Sequence, residues 1–200
     1  MTDPNLTRAS LIFRLKDHDD HDAWKQFLDL YGQTIFQFVR SRGLQDADAA
    51  DLMQEVFKRV GNAIGRLEYA KQKGGFRAWL FTITRNCLNS YFKKKQNGIS
   101  AIGGSSPQIA LGQISDEKDE LNERWEREFQ KQIMLQAIEV VRPTSAPNTW
   151  AAFEMTAIQN LSMDEVVKSL GMTRGAIYVA RSRVTSRLKS EVERLLEQEA

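Results

Sequence analysis

The chain reads as an all-α protein, two small helical bundles joined by a flexible linker, the second ending in a helix-turn-helix. Three observations carry that expectation. Apolar residues recur at three- and four-residue spacing through most of the chain, and no segment needs a strand. An uncharged run rich in glycine and serine, GISAIGGSSPQIALGQIS, interrupts that periodicity. The segment from Leu161 to Leu188, LSMDEVVKSLGMTRGAIYVARSRVTSRL, holds a short helix, a glycine turn and a second helix with spaced arginines.

Composition sets the bounds. Two hundred residues, 42% apolar and 27% charged with four prolines, suffice for one medium domain or two small ones and exclude a largely disordered chain. A net charge of +2 leaves any polyanion affinity to local patches. The single cysteine, Cys87, excludes an intramolecular disulfide and a cysteine-rich zinc site, which fits a cytoplasmic chain. The first 24 residues lack a basic start followed by an apolar run, and no stretch reaches membrane-spanning length, so no membrane insertion is expected. His18 and His21 among Asp17, Asp19, Asp20 and Asp22 have poor ligand spacing and read as a solvated polar lead-in; no metal and no cofactor is assigned.

From Trp24, apolar positions at Phe27, Leu28, Tyr31, Ile35, Phe38 and Val39 predict a helix ending near Gly43. Asp46 is placed to cap a second, with Leu52, Val56, Val60, Ile64 and Leu67 inward. A third follows Gly74 and Gly75, with Phe76, Trp79, Leu80, Ile83, Cys87 and Leu88 inward, to about Lys95. These make a first domain, 1–95. A linker, flexible and then acidic, covers 96–128. The second domain, 129–200, opens on Phe129, Ile133, Met134, Ala137, Ile138 and Val141, breaks at Pro143 and Pro147, and resumes with a helix from Thr149 to about Gln159.

In the closing motif, Ser162 with Glu165 three residues on predicts a capping box, and Val166, Val167 and Leu170 an apolar face. Gly171 stops the helix and Thr173 is placed to cap the next, where Ile177, Val184 and Leu188 turn inward. Arg174, Arg181, Arg183, Arg187 and Lys189 stand there without one acidic residue from 174 to 189. A solvated helix normally mixes signs, so the pattern points to duplex DNA rather than to a packed helical hairpin.

DADAADLMQEVFKRV (Asp46 to Val60), GGFRAWLFTITRNCLNSYFKKK (Gly74 to Lys95) and the helix-turn-helix, in this order and spacing, resemble the bacterial RNA polymerase sigma factors, specifically the compact two-domain extracytoplasmic-function (ECF) type. The resemblance implies that the first segment docks on core RNA polymerase, through Asp48, Asp51, Leu52, Met53, Gln54, Glu55 and Phe57. Acidic residues in a first turn also complement the helix dipole, which accounts well for Asp46 and Asp48 and less well for Asp51, Gln54 and Glu55 beyond it.

The second segment resembles the helix that opens the minus-ten promoter element. Aromatics interleaved with cations suit unstacked bases, but Phe76, Trp79, Leu80 and Ile83 share a core face, so contact is assigned to Arg77, Arg85, Asn86, Asn89, Lys93, Lys94 and Lys95. Helix-end lysines also meet the negative pole of the dipole. The preceding loop, with Glu68, Tyr69 and Lys71, is where the resemblance implies capture of an extruded base.

For the minus-thirty-five element the implied residues are Thr173, Arg174, Ala176, Ile177, Tyr178, Arg181, Arg183 and Arg187. Arginine to guanine is the commonest specific pairing, which favours Arg174 or Arg181 for a base and Arg183 and Arg187 for phosphates. Ala176 to Ala180 depart from the family's usual threonine-valine-basic-serine-arginine run, so its usual promoter sequence does not carry over.

The expected function is that of a transcription initiation factor without catalysis of its own, with core RNA polymerase and promoter DNA as partners and no small-molecule substrate. The resemblance also implies a masking anti-sigma protein as a potential partner, which no residue identifies. The alternative is a stand-alone helix-turn-helix regulator acting without promoter melting, which leaves the acidic second helix and basic third helix without a use. An enzyme would need a phosphate loop, clustered ligands or a nucleophile with its base.

Overall fold

A computed structural model describes residues 10–67, 75–100 and 118–199. They form α1 (Ser10–Arg14), α2 (His21–Arg40), α3 (Asp46–Ile64), α4 (Gly75–Ser100), α5 (Lys118–Val141), α6 (Pro147–Phe153) running into a π-helical turn (Glu154–Ile158), α7 (Met163–Leu170) and α8 (Arg174–Glu199), with no strand among the described residues. The all-α expectation holds. No helix among these residues is long and apolar enough to cross a membrane. The chain divides into two compact units within α5, after Gln130.

In the first unit, α2 buries Phe27, Tyr31, Ile35 and Phe38, one face of a 3.6-residue period. Its start is set by Asp20, whose carboxylate accepts from the Ala23 N–H at 2.9 Å and from Arg14 at 2.7 and 2.8 Å. The helix therefore begins at His21 rather than Trp24. Ahead of the expected polar lead-in lies α1, whose Leu11 and Ile12, with Leu15 just beyond it, are buried while Phe13 is exposed; a helix this short shows no period in sequence. Gln45, not Asp46, holds the cap position of α3 and makes no side-chain cap bond, while Asp46 is the first helical residue and pairs with Arg40 at 2.5 Å.

The core of this unit joins Val56, Val60 and Ile64 of α3 to Phe76, Leu80, Phe81 and Leu88 of α4. Trp79 and Ile83, expected inward, are half-buried, and α4 continues to Ser100. The acidic stretch before Phe129 is helical from Lys118. Leu121, Trp125 and Phe129 recur every fourth residue on one buried face, while Glu120–Arg124 and Glu123–Arg127 pair one turn apart on the exposed side at 2.5 and 3.8 Å. Phe129 stacks on Tyr31 with centroids 5.7 Å apart, and Trp125 lies 5.8 Å from Phe81.

In the second unit, Ile133, Ala137 and Val141 of α5 are buried, but Met134, expected inward, is exposed. Pro147 occupies the first turn of α6, where its missing N–H is no loss. The helix expected from Thr149 to Gln159 is thus α-helical only to Phe153 and π-helical beyond; Thr156, inside that turn, donates to the Ala152 carbonyl at 2.6 Å. Ala152, Val166, Ile177 and Ala180 form a core cluster with Met155, Leu161, Met163, Val167, Leu170 and Met172 packed around it. The capping box of α7 forms as expected, Gly171 adopts φ +64°, and Thr173 Oγ1 accepts from the Ala176 N–H at 3.2 Å.

Candidate nucleic-acid and protein interfaces

The outer face of α3 carries Asp51, Gln54 and Glu55, all exposed. Arg59 donates to Glu55 at 2.8 Å and holds that carboxyl below its ordinary range, so the pair stays ionised at neutral pH. Beside this polar ridge lies a groove of about 570 Å³ between α2 and α3, floored by Met53, Phe57, Leu28 and Phe36 and edged by Asp29 and Gln33. Leu28, placed inward by its spacing, instead lines this groove with 40% exposure. Leu28, Gly32 and Phe36 follow at four-residue intervals beside the core stripe, a second apolar stripe that the sequence carried and the periodicity merged with the first.

Two residues of the expected polymerase-facing set have other work. Leu52 is only 5% exposed and packs in the core, because it falls on the Ala49–Val56 face. Asp48 is half-buried and accepts a hydrogen bond from Tyr91 of α4; burial, and then that carboxylate, push the Tyr91 phenol up to about 12.

On α4, Asn86 and Lys93, Lys94 and Lys95 are exposed, with Lys95 5.7 Å from the Tyr91 ring centroid. Arg85 is half-buried and lies 5.9 Å from the Phe81 ring centroid. Asn89 is half-buried, its Oδ1 enclosed without a hydrogen bond. Arg77 is turned onto α5: it meets Glu126 at 3.5 Å and lies 4.8 Å over the Phe129 ring. An arginine in the first turn of α4, facing an acidic helix that also carries an aromatic ring, has an internal partner, so Arg77 belongs to the helix packing rather than to a free basic surface. Glu68, Tyr69 and Lys71 lie outside the described residues.

The exposed surface of α8 has a definite layout. With Ile177, Ala180, Val184 and Leu188 buried, the opposite ridge consists of Gly175, Val179, Ser182 and Ser186, uncharged and mostly small. Arg174, Tyr178 and Arg181 share one edge of that ridge and Arg183 and Arg187 the other. Tyr178 is 59% exposed and Val179 50%. A narrow uncharged ridge between two basic edges fits a groove bounded by two rows of phosphates. Ile177, expected among the contacts, is fully buried and supports this surface from below. Thr173 is exposed, but its hydroxyl oxygen serves as the helix cap, and Ala176 is exposed on the Arg183 side.

Arg187 also differs from expectation. Its guanidinium donates to the Thr144 carbonyl at 3.1 Å, Thr144 Oγ1 at 2.6 Å and Ser145 Oγ at 2.9 Å, tying α8 to the turn before α6. Arg174 pairs with Asp164 in the first turn of α7. Neither the turn nor Asp164 was among the expected site residues, since contacts 43 and 10 residues apart leave no periodic trace.

The family model for sigma-70 region 2 matches residues 27–98, which span most of α2, α3 and nearly all of α4. The chain is 26% identical over 186 residues to the ECF RNA polymerase sigma factor BldN of Streptomyces coelicolor, an alignment covering 93% of this chain and 66% of that protein. It is 29% identical over 96 residues to the RNA polymerase sigma factor NccH of Alcaligenes xylosoxydans xylosoxydans, covering 48% of this chain and 49% of that protein. It thus spans just under two thirds of one curated relative's length and about half of the other's. With the sigma-70 region 2 match lying on the α2–α4 bundle and the longer alignment running on through the helix-turn-helix, the chain is similar over most of its length to the ECF-type RNA polymerase sigma factors.

Proposed function

We propose that this protein is a promoter-specificity subunit that recruits core RNA polymerase in the cytoplasm and directs it to promoters. The first unit docks on polymerase through the outer face of α3 and engages the opened minus-ten strand through the carboxyl-terminal half of α4. The second reads the minus-thirty-five duplex with α8. The polymerase supplies the chemistry.

One observation carries this proposal: two packed helices of a single bundle present surfaces of opposite character. Asp51, Gln54 and Glu55 beside an apolar groove suit a protein partner, whereas Asn86 and Lys93 to Lys95 suit a nucleic-acid strand. A regulator that only bound duplex DNA would have no use for the first. On this account Asp51, Gln54, Glu55, Met53 and Phe57 touch polymerase, Leu52 and Asp48 shape that face from within, and Glu68, Tyr69 and Lys71 belong to the minus-ten site.

Charge reversal tests it. Asp51→Lys, exposed and outside the core, should leave the circular dichroism spectrum and thermal midpoint unchanged and weaken binding to purified core polymerase about tenfold or more, the scale of a lost interfacial charge contact. Binding at wild-type affinity would remove α3 from the interface.

A further inference from the structure

We infer that Asp164 is a specificity-determining residue of the minus-thirty-five reader, acting by positioning Arg174. This rests on the proposal that α8 enters promoter DNA and deepens it.

The backbone on both sides of the pair is fixed. Ser162 Oγ accepts from the Glu165 N–H at 3.4 Å, and the Glu165 carboxylate accepts from the Ser162 N–H and hydroxyl at 2.8 and 2.6 Å, which locks the first turn of α7 around Asp164. Thr173 caps the first turn of α8, where Arg174 begins the helix. Val166 of α7 and Ile177 of α8 are packed in one core, so the two helix starts are held together. Across them an Arg174 Nη2 donates to Asp164 Oδ1.

Both side chains are largely exposed, and such a pair contributes little to stability. Its consequence is directional. A lone arginine side chain explores many rotamers, whereas one held by a carboxylate keeps its remaining N–H groups aimed along the groove-facing edge of α8, as a fork for guanine O6 and N7. The second carboxylate oxygen is an acceptor, which suits an exocyclic amino group of cytosine or adenine on the neighbouring base pair and repels phosphate. Asp164 therefore sharpens base choice and lowers affinity for arbitrary DNA. A residue with a purely structural role would not move these two quantities in opposite directions.

The test uses the full chain assembled with core polymerase, selected on a duplex randomised over the minus-thirty-five element, and the full chain alone titrated with a random duplex. Asp164→Ala should lower the guanine preference at the Arg174 position about tenfold while tightening random-duplex binding a few-fold at low salt. Asp164→Glu should retain the preference, and the thermal midpoints should match. Retention of the preference in Asp164→Ala, with its loss in Arg174→Ala, would overturn the role of Asp164 and leave the α8 assignment standing. Loss in Asp164→Ala without any in Arg174→Ala would put the contact on Asp164 itself and overturn the positioning role. No change in either variant would overturn both the inference and the assignment of Arg174 to a base.

Discussion

Trp125 meets Phe38 edge to face, ring centroids 5.4 Å apart and planes at 85°, with both rings shielded from solvent. The contact packs the first half of α5 against α2 and makes it part of the first unit's bundle. Trp125→Ala should destabilise that bundle by about 3–5 kcal/mol, the range for removing a buried aromatic. Trp125→Phe should lose less than about 2 kcal/mol, because the ring packing largely survives and the indole N–H, enclosed without an acceptor, is removed. Guanidinium unfolding followed by circular dichroism separates the two.

Gly171 and Gly175 predict opposite signs. Neither has an atom within 4 Å of an added Cβ, so only backbone conformation matters. At φ +64°, Gly171→Ala should cost about 1–2 kcal/mol. Gly175 has no such φ and lies in the first turn of α8, where alanine should stabilise by up to about 1 kcal/mol. Because Gly175 also sits on the uncharged ridge of α8 that we propose enters the duplex, Gly175→Ala should raise the thermal midpoint and weaken duplex binding together.

Arg183 and Arg187 share an edge but not a role. Arg183→Ala should reduce the slope of log K against log salt by about 0.9, one phosphate contact, with little change in stability. Arg187→Ala should lower the thermal midpoint, because three hydrogen bonds to Thr144 and Ser145 are lost. Fluorescence anisotropy across a salt series, beside thermal melts, distinguishes them.

Acid should loosen the amino-terminal end of the first unit. The Arg14 guanidinium, then the Ala23 N–H, hold the Asp20 carboxyl at about 2, against about 3.9 for an unfolded aspartate. Since the folded value is the lower, the stabilisation is complete above about pH 4 and declines as pH falls towards 2. Asp20→Asn, which loses the charge, should show a shallower loss of stability over that window in denaturant titrations.

The helices that could be read from sequence are those whose apolar faces are wide and regular. Phe27, Tyr31, Ile35 and Phe38 sit where their spacing places them, as do Ile177, Val184 and Leu188. The first half of α5 is not legible in the sequence because Leu121, Trp125 and Phe129 are separated by dense charge, which hides a period of four. Partnerships were less legible than surfaces. The exposure of Asp51, Lys94 and Arg181 follows from position along a helix, but the internal engagements of Asp48, Arg77 and Arg187 depend on which helix lies alongside. Those neighbours are set by packing between elements far apart in the chain.

The central claim is tested most directly by transcription in vitro, with purified core RNA polymerase, this protein and fragmented genomic DNA. The account predicts discrete transcripts that depend on the protein and disappear with Asp51→Lys. No transcripts, together with tight duplex binding in the absence of polymerase, would contradict it and leave a regulator that binds DNA on its own.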